Sequence, residues 1–258
     1  MDIASIGGIL LAIIGILGGL MIEGGSIAQV TQPTAMMIVL GGTLGAVMLQ
    51  FPLPIFVHAM KQFASVFFSA PTDSDAIIQQ LVAFAVKARR NGIVSLDDDL
   101  AGVVDPFLKQ ALTLAIDGIE PAAVRQIMRL ELENKAEGDE RVPQVFESAG
   151  GFAPTVGIIG AVIGLIQVMQ RLDNIAEVGR GIAISFVATI YGVGLANLVF
   201  LPAAGKLRIR QQEEQMVKEM MLEGVISIQE GMNPKMIEIK LRTYVFDDGR
   251  HVATQEPA

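Results

Sequence analysis

Cysteine is missing from the 258 residues, histidine occurs only as His58 and His251, and charged residues make up 18%. Without cysteine there is no disulfide scaffold, thiolate metal site or cysteine nucleophile. Two histidines leave little for a histidine-rich metal centre or a histidine-based triad. No nucleophile–base pair, phosphate loop or metal cluster stands out, so an enzyme is not expected. The net charge of −8 excludes the basic profile of a nucleic-acid binder. A soluble domain carries nearer a quarter charged residues. Here 52% of residues are hydrophobic and the mean hydropathy is +0.52, which points to a membrane protein with a sizeable polar part.

The charges present are confined. Four stretches lack Asp, Glu, Lys and Arg: Ile3 to Ile22, a run after Glu23 whose apolar part is about Thr34 to Val57, Ser148 to Gln170, and Gly181 to Gly205. A bilayer core of ~30 Å takes ~20 helical residues, and only a helix satisfies its own backbone there. The first stretch has no basic leader and no convincing cleavage site, so it reads as a retained helix. Nine Lys and Arg lie between Gln50 and Gly150 and eight after Pro202, with none from Glu23 to Pro33. The cluster Lys206, Arg208, Arg210 directly follows the fourth stretch. The positive-inside rule then places both termini in the cytoplasm.

The expected fold is all-α: a polytopic membrane protein with four transmembrane helices and a helical cytoplasmic domain between helices two and three. The segments are 1–50 (helices one and two), 51–150 (cytoplasmic domain), 151–205 (helices three and four), 206–246 (cytoplasmic C-terminal helices) and 247–258 (disordered tail). Within 51–150, Thr72 to Asp75 opens a helix carrying Ile77, Ile78, Leu81, Val82, Phe84 and Ala85, and Asn91-Gly92 closes it. Ser95 with Asp98 resembles a capping box. Asp105-Pro106 opens another helix, which Gly118 ends, and Pro121 suits a first helical position. The tail extends helix four, with Leu207, Met216, Val217, Met220, Val225 and Ile228 at helical spacing. Gly231 ends it, and Asn233-Pro234 starts a last helix to about Tyr244.

The membrane stretches contain no ionisable side chain. Proton pathways are marked by intramembrane acids or bases; here the polar residues are Thr43, Thr155, Gln167, Ser185, Thr189, Tyr191 and Asn197. Hydroxyls orient water or ligate a cation, but carry no proton charge at neutral pH. Either the chain moves no ions or a partner brings the carboxylate. Gly15/Gly19, Gly41/Gly45 and Gly160/Gly164 fit small-xxx-small faces, within the chain or between chains. Pro154, at the start of helix three, and Pro202, at the end of helix four, are ordinary punctuation or a pair of hinges. Lys87, Arg89 and Arg90 followed by Asp97, Asp98 and Asp99 form either a solvated surface or a two-sign docking face.

Several segments together resemble the MotA/PomA family of flagellar stator proteins. They are Gly24-Gly25-Ser26, Gln32-Pro33, the run 88–97 (ARRNGIVSLD), the run 153–165 (APTVGIIGAVIGL), 188–192 (ATIYG) and 200–207 (FLPAAGKL). The resemblance implies a single-helix MotB-type partner whose membrane aspartate carries the ion. It implies a homopentamer around that partner and torque on the rotor protein FliG. Arg89 and Asp97 match the family's rotor-facing positions, with Arg90 and Asp98 as near neighbours; Asp97 stands where the family usually has Glu. Pro154 and Pro202 match its paired prolines. Thr189 matches the threonine lining the ion path, to which Thr155 and Ala161 on helix three are also assigned. Sodium-driven members carry a second Thr where this chain has Ala161, which favours H⁺ over Na⁺; no bound cofactor or metal is expected. The implied location is the bacterial inner membrane. A proton-driven ExbB/TolQ-type protein is the runner-up, set apart by its three membrane helices, and a passive membrane scaffold is the other alternative.

Overall fold

A computed structural model of the chain describes residues 3–68, 73–170, 172 and 175–245. The described residues form helices and no strand. The segment 247–258 lies outside them. The chain divides into two compact units, residues 1–70 with 138–209 and residues 71–137 with 210–258.

The first unit contains the apolar helices. Helix α1 is Ile3–Ile22, and the one-turn α2 is Ile27–Val30. Helix α3, Pro33–Gln50, has proline at its first position, where no amide donor is needed. It buries Ala35, Val39, Thr43 and Val47, one residue per turn along one stripe. It stops at Gln50, short of the Val57 to which the apolar run extends. Phe51 precedes a proline and is extended (φ −115°, ψ 141°), which ends the helix. A separate helix α4, Leu53–Phe63, starts after Pro52, followed by α5, Ser65–Phe68.

The third apolar stretch does not begin a helix. It continues α8, which runs unbroken from Pro121 to Met169 with Pro143 and Pro154 inside it. Residues 150 and 151 therefore share one helix, and Pro154 is interior to that helix rather than at its start. Helix α9 is Ile175–Leu195; a π-helical turn, Ala196–Phe200, leads without a break into α10, Leu201–Gln229. The Leu201 amide bonds to the Ala196 carbonyl five residues back. The wider turn directly precedes Pro202, which has no amide to give, so the chain continues helically past it. Four helical stretches are long and apolar enough to cross a membrane, lying within Ala4–Ile22, Ile27–Gln50, Pro121–Met169 and Val178–Gln229.

The second unit is a helical array. Asp73 caps α6, Ser74–Asn91, by accepting from the Ala76 amide at 3.0 Å. Gly92, at φ +83°, ends α6 in a conformation that side chains disfavour. The next segment is a 3-10 helix, Ile93–Gly102. It starts before Ser95, whose hydroxyl donates to the Gly92 carbonyl at 2.7 Å, so the Ser95/Asp98 capping box does not form. Asp105 caps α7, Pro106–Ile116, and Asn233 caps α11, Pro234–Arg242. The core joins Ile78, Leu81 and Phe84 of α6 to Leu108 and Leu112 of α7, Met128 of α8, Met220 and Ile226 of α10, and Leu241 of α11. Each such side chain contributes about 1.5–3 kcal/mol on burial.

Candidate functional site: a glycine-faced helix pair and a two-sign turn

In the first unit, α8 and α9 pack through residues with little or no side chain. A Cβ placed on Gly192 would lie 2.5 Å from the Ala153 carbonyl oxygen, and one on Gly157 would lie 3.0 Å from the Ala188 oxygen. One on Gly160 would meet Ala188 Cβ at 2.9 Å, and one on Gly164 would meet Ser185 Oγ at 2.3 Å. The Gly160/Gly164 pair is thus used within the chain. The other two pairs are not, because a Cβ at Gly15, Gly19, Gly41 or Gly45 would meet nothing within 4 Å. In a lipid environment such close backbone approach replaces the hydrophobic drive that water supplies.

The sequence-assigned path residues lie on this pair. Thr189 is half-buried on α9, with its Cα 3.4 Å from where a Gly157 Cβ would be. Ala161 is half-buried on α8. Thr155 is exposed and donates to the Phe152 carbonyl at 2.8 Å. Pro154 is half-buried and Pro202 exposed. Two polar features were not assigned from sequence. The Thr43 hydroxyl is fully buried without a hydrogen-bond partner among the described residues. The Tyr191 hydroxyl donates to the Val30 carbonyl at 2.5 Å and accepts the Gln32 amide at 3.0 Å. That link joins two of the resembling segments, Gln32-Pro33 and 188–192, which are far apart in sequence.

In the second unit, the charged residues gather at the α6 end. Arg89 and Arg90 occupy its last turn, where the helix dipole favours cations. Asp97 and Asp98 follow on the 3-10 helix, and all four are exposed. Lys87 pairs with Asp99 at 2.6 Å across the turn, so the outward charges sit on a turn closed by a pair of its own.

A different set of ions holds the unit together. Glu223, 12% exposed, accepts from Arg125 at 2.5 Å and also pairs with Lys240, which reaches Ser227 at 3.2 Å. These contacts tie α8, α10 and α11. Burial pushes the Glu223 carboxyl up, but the hydrogen bonds from Arg125 and Lys240 outweigh it and hold the group below the usual carboxylate range. Glu214 is likewise lowered overall: burial raises it, and hydrogen bonds from Lys135 (2.8 Å) and Lys218 (2.5 Å) prevail. Among the described residues no group of three or more His, Cys, Asp or Glu is placed to hold a metal ion.

Comparison with known proteins agrees with this layout. Residues 6–92 match the motility protein A N-terminal family, and residues 100–220 match the MotA/TolQ/ExbB proton channel family. Motility protein A of Bacillus subtilis (strain 168) is 35% identical over 249 residues, covering 95% of this chain and 91% of that protein. Chemotaxis protein PomA of Vibrio alginolyticus is 28% identical over 253 residues, covering 96% and 99%. The structure of C. jejuni MotAB superposes with a TM-score of 0.93 at 29% identity, over 99% of this chain and 100% of that one. The flagellar MotAB stator complex from Bacillus subtilis gives 0.88 at 35% identity, over 95% and 96%. The N-terminal match covers the first helix pair, the feature that sets this chain apart from the ExbB/TolQ type. With its four membrane helices, two-unit fold and matches along nearly its whole length, the chain belongs to the motility protein A family of flagellar stator ion-channel subunits, which is not an enzyme family.

Proposed function

We propose that the chain works as the torque-generating, ion-conducting subunit of a flagellar stator. It assembles as a homopentamer around a MotB-type partner and acts on the rotor protein FliG. The observation that carries this is the union of stator-family membership with four charge-free membrane stretches. A proton path through such stretches needs a titratable group, and these stretches have none to give. A partner helix bearing a carboxylate supplies it.

Within that assembly Thr189 lines the path beside the partner's carboxylate, with Thr155 and Ala161 on the facing helix. Its hydroxyl accepts and donates hydrogen bonds without holding charge, which suits a group that orients the carrier rather than being one. With alanine at 161, the path has one fewer oxygen ligand for a dehydrated Na⁺, so the coupling ion is H⁺. The exposed charges Arg89, Arg90, Asp97 and Asp98 meet the rotor. Exposed pairs form quickly and individually weigh little, so a surface carrying both signs binds and releases as the rotor moves. Pro154 and Pro202 act as hinges where each long helix leaves the membrane, and both termini and the second unit are cytoplasmic.

The test is complementation of a strain lacking all stators, with this chain and its partner expressed together. Swimming should return, stop on adding a protonophore, and persist when Na⁺ is removed. Thr189→Val should reduce swimming while the complex stays in the membrane. Full swimming by Thr189→Val would remove the residue from the path, and Na⁺-dependent swimming would reverse the ion assignment.

A further inference from the structure

Tyr191 lies near the middle of the charge-free run Gly181 to Gly205. At 1.5 Å per residue it is about 15 Å inside the end of that run at Gly181. Against it docks the turn between α2 and α3, where the chain is not helical. Thr31 and Gln32 are both extended (φ −96° and −129°). Most of this turn's polar groups have local partners. The Gln29 amide bonds to the Ser26 carbonyl at 3.0 Å, the Thr31 amide to the Ala28 carbonyl at 3.4 Å, and the Thr31 hydroxyl to the Ile27 carbonyl at 2.9 Å. The Val30 carbonyl and the Gln32 amide instead bond to the Tyr191 hydroxyl. That one group donates its only proton to the first and accepts from the second. Both bonds are part-buried, and in a lipid environment a backbone group left unpaired is costly. The same side chain packs beside Ala35 of α3 and Val187 and Ala188 of α9.

Thr189 is two residues before Tyr191 on α9. Residues two apart on an α-helix point about 200° apart, onto nearly opposite faces. Turning α9 about its axis to free the Tyr191 hydroxyl would therefore swing Thr189 as well. We propose that Tyr191 is a positioning residue: by bonding both Val30 and Gln32, it fixes the rotational setting of α9 and so the direction in which Thr189 faces. This rests on the stator reading for its functional consequence, but the geometric claim stands apart from it.

Two readouts on the full chain with its partner subunit test this. The first is a tethered-bead measurement of the speed step added by each stator unit, with Tyr191→Phe, which keeps the ring and removes only the hydroxyl. A residue needed only for folding changes how many units assemble; a positioning residue changes what each unit delivers. The second is maleimide labelling of Thr189→Cys in membranes, read on this chain, which has no native cysteine of its own to label. Tyr191→Phe should leave the amount of membrane complex unchanged, lower the height of each step, and change the labelling rate at least about fivefold, the shift that losing one of its two hydrogen bonds permits. Tyr191→His, whose neutral ring also donates and accepts, should recover part of both. Unchanged step height and labelling rate in Tyr191→Phe would overturn the proposal. Loss of both variants from the membrane would overturn it too, since the hydroxyl would then serve assembly alone. If the unmodified chain gives no speed steps, the stator reading fails and the labelling rate still decides the role of Tyr191.

Discussion

Gly157 on α8 and Gly192 on α9 face each other so closely that a methyl group has no room on Gly192 and would be tight on Gly157. A Cβ on Gly192 would sit 3.0 Å from Gly157 Cα, and one on Gly157 would sit 3.2 Å from Gly192 Cα. The obstructing atoms include backbone, which cannot rotate away. Gly192→Ala should therefore force α8 and α9 apart and cost about 1–3 kcal/mol. Gly194→Ala, where a Cβ meets nothing within 4 Å, is the matched control and should be neutral or stabilising by up to about 1 kcal/mol. The thermal stability of the detergent-solubilised complex separates the two variants; equal stability would show that the pair does not limit the packing.

The α6 turn should tolerate charge reversal structurally and fail functionally. Arg89 and Asp97 are exposed, and substitutions at such sites usually change stability by no more than about 0.5 kcal/mol. Arg89→Glu combined with Asp97→Lys should leave the complex in the membrane at its normal level and impair swimming in a strain with no other stator. Unchanged swimming in that strain would remove this face from the rotor contact.

Glu223 should be a stability residue with an acid signature. Its folded-state carboxyl is held below the usual range by Arg125 and Lys240 despite burial. A depressed acid contributes stability that is present above its unfolded value, about 4.3, and lost as pH falls through the lower folded value. Glu223→Gln should cost about 1–2 kcal/mol at neutral pH, because two cations lose a charged acceptor. It should also flatten the fall in the urea midpoint on acidification below about pH 4.3. The helical circular dichroism of the solubilised chain reports both. An unaltered acid limb would assign the loss to other carboxylates, Glu214 first.

Local chemistry made much of the fold legible. Asp73, Asp105 and Asn233 each cap the helix they precede, and Gly92, Gly118 and Gly231 all take positive φ at helix ends. Charge-free length located the four apolar helices. Two things were hidden. Proline reads as punctuation, yet α8 runs through Pro143 and Pro154 as one helix, because lost amide bonds within long, well-packed helices are locally tolerated. The partner of Tyr191 lies some 160 residues away, and no periodicity within α9 encodes a turn in another segment. The placement of the candidate residues, though not their roles, was legible: Thr189 and Ala161 lie on a packed helix pair, and Arg89 and Asp97 are exposed where α6 gives way to the 3-10 helix. Which glycines face their own chain was not, since Gly15/Gly19 and Gly160/Gly164 share a spacing and differ only in what lies opposite.

Proton flux into liposomes, measured with a pH-sensitive dye on the purified chain alone and on the chain with its partner, addresses the source of the carboxylate directly. The chain alone should give no flux above lipid. The pair should conduct once the partner's membrane carboxylate is present, and should stop conducting when that carboxylate is replaced by its amide. Sustained flux through the chain by itself would contradict the account.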